Sequence, residues 1–134
     1  MGGRQGAVVA EILARKGVSV HFATQLGQAS PDLTSSRDWG KVHGMLKKLG
    51  VKFHVDCEMM EIGEDHVRLQ DLYTKQELVL NSISNVVLVQ GSQANDQIYH
   101  AMIDQKPGHL RADAMAPRRV NDAINEGELI ARQI

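Results

Sequence analysis

"GGRQGAVVAEILARKGVSVHFAT", residues 2–24, decides the fold expected for this chain. Three glycines precede a helical pattern from Gln5 to Lys16, in which apolar residues recur at positions 8, 9, 12 and 13. Gly17 ends this helix, and Val18–Thr24 alternates as a strand does. Such glycines are typical of a tight strand-to-helix turn, where backbone N–H groups approach a phosphate. The strand that should precede the helix is not found, so we expect a fold of this kind with its first strand missing.

Composition narrows the class of protein. The 134 residues suit one domain, and a net charge of -1 argues against nucleic-acid binding, which needs a basic surplus. Cys57 is the single cysteine, which excludes an intramolecular disulfide and zinc sites built on cysteine pairs. Met1–Gly6 does not resemble a signal peptide, and no apolar run reaches the roughly 18 residues of a membrane span. A soluble cytoplasmic protein is expected.

The rest of the chain alternates helical and strand patterns. We predict a helix capped by Ser35 or Ser36 and ending at Leu49, followed by an antiparallel meander whose strands start at Val51, His66 and Glu77. The next segment, Ser84–Gly91, is predicted to be a strand covered on both faces. After it we predict a helix at about Ala94–Ile103, a strand at His109–Asp113 and a helix at Arg119–Ile134. This order predicts an α/β fold: a Rossmann-like three-layer nucleotide-binding domain with a mainly parallel sheet, a small antiparallel meander and the first strand missing.

The first candidate site is the glycine-rich start of the chain. Gly3 and Gly6 match the second and third glycines of a dinucleotide fingerprint. The acidic residue that binds the ribose hydroxyls is absent, and Thr24 and Gln25 stand at the end of the following strand instead. Two interpretations are open: a truncated cofactor site, or an ordinary helix N-terminus that begins with glycines.

The second candidate site lies near the other end of the chain. Asp113 follows a predicted strand, where a carboxylate can accept hydrogen bonds from a sugar or ribityl hydroxyl. Pro117 precedes the final helix, whose N-terminus together with Arg118 and Arg119 could face a phosphate. The alternative is that Asp113 is a turn residue and that the arginines are solvated.

These residues resemble a known family. "ADAMAPRRVNDAINEGELIARQI", residues 112–134, resembles the C-terminal signature of the NADH:flavin oxidoreductases related to trimethylamine dehydrogenase and 2,4-dienoyl-CoA reductase. The positions that fit that signature are Asp113, Ala116, Pro117, Arg118, Ala123, Gly127, Ala131, Arg132 and Ile134. "GAVVAEILARKGVSVHFAT" and "NVVLVQGSQANDQIYHAM", residues 6–24 and 85–102, are similar to segments of the nucleotide-binding domains of the same family.

The resemblance implies a division of the chain and a set of cofactors. Residues 1–110 would be an NAD(P)-binding-like domain lacking its first strand, and residues 111–134 a returning segment of the FAD domain with its C-terminal helix packed on it, together one compact unit. Asp113 would lie near the flavin, with Pro117 and Arg118 beside it, and Gly91 would match the glycine after the apolar strand. FAD or ADP and NAD(P)H are the cofactors implied.

The same resemblance argues against catalysis by this chain alone. The family's FMN barrel and the cysteine ligands of its iron–sulfur cluster have no counterpart here, and we predict no catalytic residues. Six histidines show no spacing typical of a metal site, so no metal is predicted, and Cys57 is expected to be a half-buried strand residue. The alternative function is a non-catalytic interaction module that forms a homodimer or docks on a partner oxidoreductase subunit through an open sheet edge.

Overall fold

The glycine-rich start leads directly into a helix. The computed structural model describes residues 3–91, 93–102 and 120–132, and helix α1 (Arg4–Arg15) begins immediately after Gly3. The helix is confirmed, but its buried face is not formed by the large apolar residues: Val8 and Ile12 are 48% and 51% exposed. The buried positions are Gly6, Ala7, Ala10 and Ala14. A Cβ added at Gly6 would lie 3.2 Å from the Phe22 ring, so close packing of the helix selects small side chains at this face.

A short parallel sheet packs against α1 and a second helix. Strand β1 (His21–Ala23) pairs with β2 (Lys52–His54), with Phe22 opposite Phe53. Helix α2 (Trp39–Lys48) lies on the same face of the sheet as α1, since its His43 ring is centred 4.4 Å from that of Phe53. The buried cluster consists of Ala7, Ala10, Ala14, Phe22, Ala29, Leu33, Leu46 and Val51, and Val20, Trp39, Val42, Met45, Leu49 and Phe53 pack against it.

The start of α2 differs from the sequence prediction. Asp38 is the N-cap residue, and the helix begins at Trp39. Ser35 and Ser36 do not cap it, because their hydroxyls donate to the backbone oxygens of Asp32 and Leu33 at 3.0 and 3.1 Å. These serines therefore fasten the preceding 3₁₀ turn at Pro31–Leu33.

The antiparallel meander is confirmed, but its first strand is a different segment. It consists of β3 (Cys57–Ile62), β4 (His66–Asp71) and β5 (Glu77–Asn81) in sequential order. The segment after Val51, predicted as the first meander strand, instead forms β2 in the parallel pair. Strand β3 was missed because its residues, CEMMEI, show no alternation of apolar and polar side chains. The central strand β4 buries Val67 and Leu69 on one face.

The strand predicted at Ser84–Gly91 is wrong. Residues 83–91 form neither helix nor strand, and Val86, Val87 and Leu88 are 38%, 57% and 54% exposed. A strand needs a neighbour to accept and donate its backbone hydrogen bonds, and no strand of the described residues lies beside this segment. The segment therefore has the apolar composition of a buried strand but does not form a strand in this structure.

The chain divides into two compact units, Met1–Gly91 and Ser92–Ile134. The second contains helices α3 (Gln97–Met102) and α4 (Val120–Ala131), which confirm the two helices predicted there. The predicted strand at residues 109–113 and the predicted boundary at residue 110 lie outside the described residues. The architecture is thus mixed α/β, with a parallel pair and an antiparallel sheet. Among the described residues, no helix has the length and apolar character needed to cross a bilayer.

Candidate nucleotide site

The N-terminus of α1 carries a carboxylate from a distant part of the chain. Gly3 is the N-cap residue in extended conformation and has no side chain to cap the helix. The backbone N–H of Arg4 donates to Oδ2 of Asp32 at 2.8 Å, across a sequence separation of 28 residues. A carboxylate is well suited to this position, because the first N–H groups of a helix are unpaired and carry partial positive charge.

The turn that carries Asp32 is fastened on both sides. The Ser30 hydroxyl donates to the Gly3 backbone oxygen at 3.0 Å, and Ser30 itself is buried in a left-handed conformation. Leu33 is only 3% exposed and belongs to the core. The Arg4 guanidinium donates to Ser36 Oγ at 3.2 Å, which ties the start of α1 to the end of the turn. These contacts hold Asp32 against the helix.

Both glycines of the predicted fingerprint have a structural role here. A Cβ at Gly3 would lie 3.3 Å from the Asp32 carboxylate, as one at Gly6 would crowd Phe22. A pyrophosphate at this end of α1 would compete with Asp32 for the Arg4 N–H and would bring a second negative charge beside the carboxylate. The residues at the N-terminus of α1 therefore do not fit a pyrophosphate while Asp32 is in place.

The other predicted contact residues have separate surroundings. Thr24 is buried at the end of β1, where its Oγ1 accepts a hydrogen bond from Leu26 N at 3.2 Å and its backbone N–H donates to His54 O at 2.9 Å. Gly91 is exposed and has a φ of 102°, which favours glycine. Asp113, Pro117 and Arg118 lie outside the described residues. Thr24 and Gly3 thus both have contacts within the fold that explain their residue types.

A histidine pair joins the two parallel strands. His21 Nδ1 lies 2.9 Å from His54 Nε2, with the rings within 2° of parallel and their centroids 5.2 Å apart. Because neighbouring side chains alternate along a strand, the pair lies on the face opposite Phe22 and Phe53. Burial, and then the charge of Lys52, lowers the pKa of His21; burial, His21 and Lys52 lower the pKa of His54.

Sequence reasoning missed both Asp32 and this histidine pair. Asp32 stands in a polar stretch that resembles a surface loop, and only its position after Pro31 at a turn signals a helix-like start. The histidines are 33 residues apart, so their contact depends on the register of β1 against β2. No local pattern contains that register.

Cys57 behaves as a structural thiol. It is half-buried at the start of β3, as expected. Burial, followed by the charges of Asp71 and Asp56, raises the pKa of its thiol, which disfavours the nucleophilic thiolate. Across residues 3–91, 93–102 and 120–132, no group of three or more histidine, cysteine or carboxylate side chains is arranged to hold a metal ion.

Comparison with known proteins gives structural matches. No protein-family model and no curated protein matches the chain. The 6-hydroxypseudooxynicotine amine oxidase from Pseudomonas geniculata N1 is 25% identical, with a TM-score of 0.83, over 96% of this chain and 20% of that enzyme. Histamine dehydrogenase from Rhizobium sp. 4-9 is 22% identical, with a TM-score of 0.84, over 99% of this chain and 22% of its own. A 2-naphthoyl-CoA reductase is 20% identical, with a TM-score of 0.81, over 99% of this chain and 20% of its own.

These three enzymes are an oxidase, a dehydrogenase and a reductase. The fold of this chain is therefore found within oxidoreductases, and the chain spans about a fifth of their length, 20% to 22%.

Proposed function

We propose that this chain is a nucleotide-binding-fold segment of a flavin-dependent NADH oxidoreductase, acting as a domain or subunit and not catalytic alone. The observation that carries the proposal is the structural likeness to three oxidoreductases, with TM-scores of 0.81 to 0.84 over 96% to 99% of the chain. The resemblance of residues 112–134 to the signature of the NADH:flavin oxidoreductases supports the same assignment. A three-layer Rossmann-like arrangement and a cytoplasmic location belong to this proposal.

Within such an enzyme the flavin supplies the hydride chemistry, and the protein supplies binding and orientation. The segment Asp113–Arg118 is the part of this chain that we assign to FAD or ADP contact. The Asp113 carboxylate accepts hydrogen bonds from ribose or ribityl hydroxyls, and the Arg118 guanidinium pairs with a phosphate. The N-terminus of α1, with Gly3 and Gly6, is a weaker candidate because Asp32 uses its first donor.

A thermal-shift titration of the chain with FAD, ADP, NADH and NADPH tests this proposal. A ligand that binds the folded state alone stabilises it by about 2.7 kcal/mol at a hundredfold excess over its Kd. We expect a dose-dependent rise in Tm with FAD or ADP that Asp113→Ala abolishes. Asp65→Ala, an exposed carboxylate at the meander turn, is the matched control and should keep the rise. No rise with any of the four, or a rise that Asp113→Ala leaves intact, would contradict the assignment.

A second candidate is a docking module, and one observation favours it. The outer edge of β1 has no partner strand among the described residues, and Val86–Leu88 lies exposed. Open edges and exposed apolar segments recruit other polypeptides, here a second copy or a partner oxidoreductase subunit. We expect sedimentation analysis to show a dimer that Val87→Lys dissociates and that Val79→Lys, on β5, does not. A monomer at every concentration would contradict the homodimer.

A further inference from the structure

The α1 N-terminus and the Asp32 carboxylate together form a closed contact. Asp32 accepts the Arg4 N–H at 2.8 Å, and the same carboxylate lies 3.3 Å from where a Cβ at Gly3 would be. The carboxylate thus occupies the space and the donor that a phosphate oxygen would use at a glycine-rich helix start.

We propose that Asp32 is the resident anion of α1 and closes this helix end to the pyrophosphate of a dinucleotide. The inference rests on the proposed function for the nature of the excluded ligand, and it makes Asp32, from the turn at Pro31–Leu33, the cap of the glycine-rich start of α1.

The contact that closes the helix end is made by one side chain, that of Asp32, which lies on a turn anchored in the core. The turn beneath it is anchored by Leu33 in the core, by the Ser30–Gly3 hydrogen bond and by Trp39 Nε1, which donates to Ala29 O at 2.9 Å. Asp32 itself is exposed, so replacing it removes the charge without emptying the core. The turn would stay in place in Asp32→Ala, and the Arg4 N–H would become available to an external anion.

Thermal unfolding in inorganic phosphate at low ionic strength tests the closure. Without its cap, Asp32→Ala should unfold a few degrees lower than the wild type, by roughly 2–4 °C for a chain of this size. Added phosphate should restore most of that loss in Asp32→Ala, raising its Tm more than that of the wild type or of Asp65→Ala. Phosphate that raises the Tm of the wild type as much as that of Asp32→Ala would overturn the proposal.

Two further measurements cover the remaining outcomes. Asp32→Asn keeps an oxygen acceptor but removes the charge, so ADP should bind it more tightly than the wild type, by about two- to fivefold; unchanged ADP affinity in Asp32→Asn and Asp32→Ala would overturn the closure to nucleotides. In the wild type, the Arg4 backbone amide signal should not respond to phosphate, whether or not Asp32→Ala folds, and a saturating response would overturn the proposal. If Asp113→Ala fails to weaken ADP binding while the Asp32 variants behave as stated, the proposed function fails and the closure stands.

Discussion

The parallel pair β1–β2 uses three residues per strand, whereas the strands of the meander have five or six. The meander pairs consecutive strands through short turns and buries Leu69 and Val67 of its central strand. The parallel pair is joined across residues 24–51 and depends on two helices that cover Phe22 and Phe53. The meander is therefore defined by local contacts, and the parallel pair by packing between distant segments.

This difference bears on where the chain could bind a ligand. The turn after β4 is held by Asp71, whose Oδ1 accepts the backbone N–H groups of Tyr73 and Thr74 at 2.9 and 2.7 Å. The helix that packs on the parallel pair is α1, and a helix N-terminus is the feature that nucleotide folds use for binding a pyrophosphate. In this chain the Asp32 carboxylate accepts the first N–H of that helix, so this donor is already in use.

The largest effect is expected from the meander core. Leu69 is 1% exposed, and Leu69→Ala should lower the free energy of unfolding by about 2–5 kcal/mol because it leaves a cavity. Leu78→Ala, on β5 and 43% exposed, is the matched control and should cost less than about 1 kcal/mol. Urea unfolding followed by circular dichroism measures both. Equal losses would mean that the meander does not pack around β4.

An intermediate effect is expected where α1 meets the parallel pair. Gly6→Val should cost about 1–3 kcal/mol, because its Cβ would lie 3.2 Å from the buried Phe22 ring. Gly44→Val in α2 is the matched control: nothing lies within 4 Å of its Cβ, and its free energy of unfolding should change by less than about 0.5 kcal/mol. A neutral Gly6→Val in the same unfolding assay would show that α1 can shift away from β1.

The sequence predicted the elements that depend on local patterns and failed where an element depends on contacts with distant segments. The segments at His66 and Glu77 were predicted as strands because their patterns are local. Helices α1 and α2 were predicted from periodicity, but the buried face of α1 was not, because closeness to Phe22 selected small residues over Val8 and Ile12. The strand predicted at Ser84–Gly91 failed because a strand depends on a partner that the segment's own sequence does not specify.

The candidate site shows the same limit of local patterns. Gly3 and Gly6 are at the start of a helix as predicted, yet the residue that decides what can bind there is Asp32, which folding brings from 28 positions away. The His21–His54 contact depends likewise on strand register. Motif spacing identifies a helix start; the tertiary contacts decide whether its donors are free.

The smallest effect is a pH dependence of the parallel pair. The pKa values of His21 and His54 are lowered from 6.5, so the unfolded chain binds more protons than the folded chain as pH falls below 6.5. Stability should therefore decrease from about pH 6.5 toward the lowered pKa values and stay unaffected by this pair above that range. Tm measured from pH 7.5 to 5 should fall less steeply in the double variant His21→Gln/His54→Gln.

His43→Gln is the control for that slope. His43 lies on the opposite face beside Trp39 and Phe53, and burial and then Lys47 lower its pKa as well. Its replacement removes only its own share, so the slope due to the histidine pair should persist. If His43→Gln removed the change of Tm with pH entirely, the pH dependence would belong to the helical face and not to the strand pair.

We propose that nucleotide contact belongs to the segment Asp113–Arg118 and that Asp32 closes the N-terminus of α1. The most direct measurement is an NMR titration of the ¹⁵N-labelled chain with ADP, following each backbone amide. In the wild type we expect saturating shifts within residues 112–120 and none at Arg4–Ala7; shifts at Arg4–Ala7 should occur once Asp32 is replaced, as in Asp32→Ala. Saturating shifts at Arg4–Ala7 in the wild type, with residues 112–120 unaffected, would contradict it.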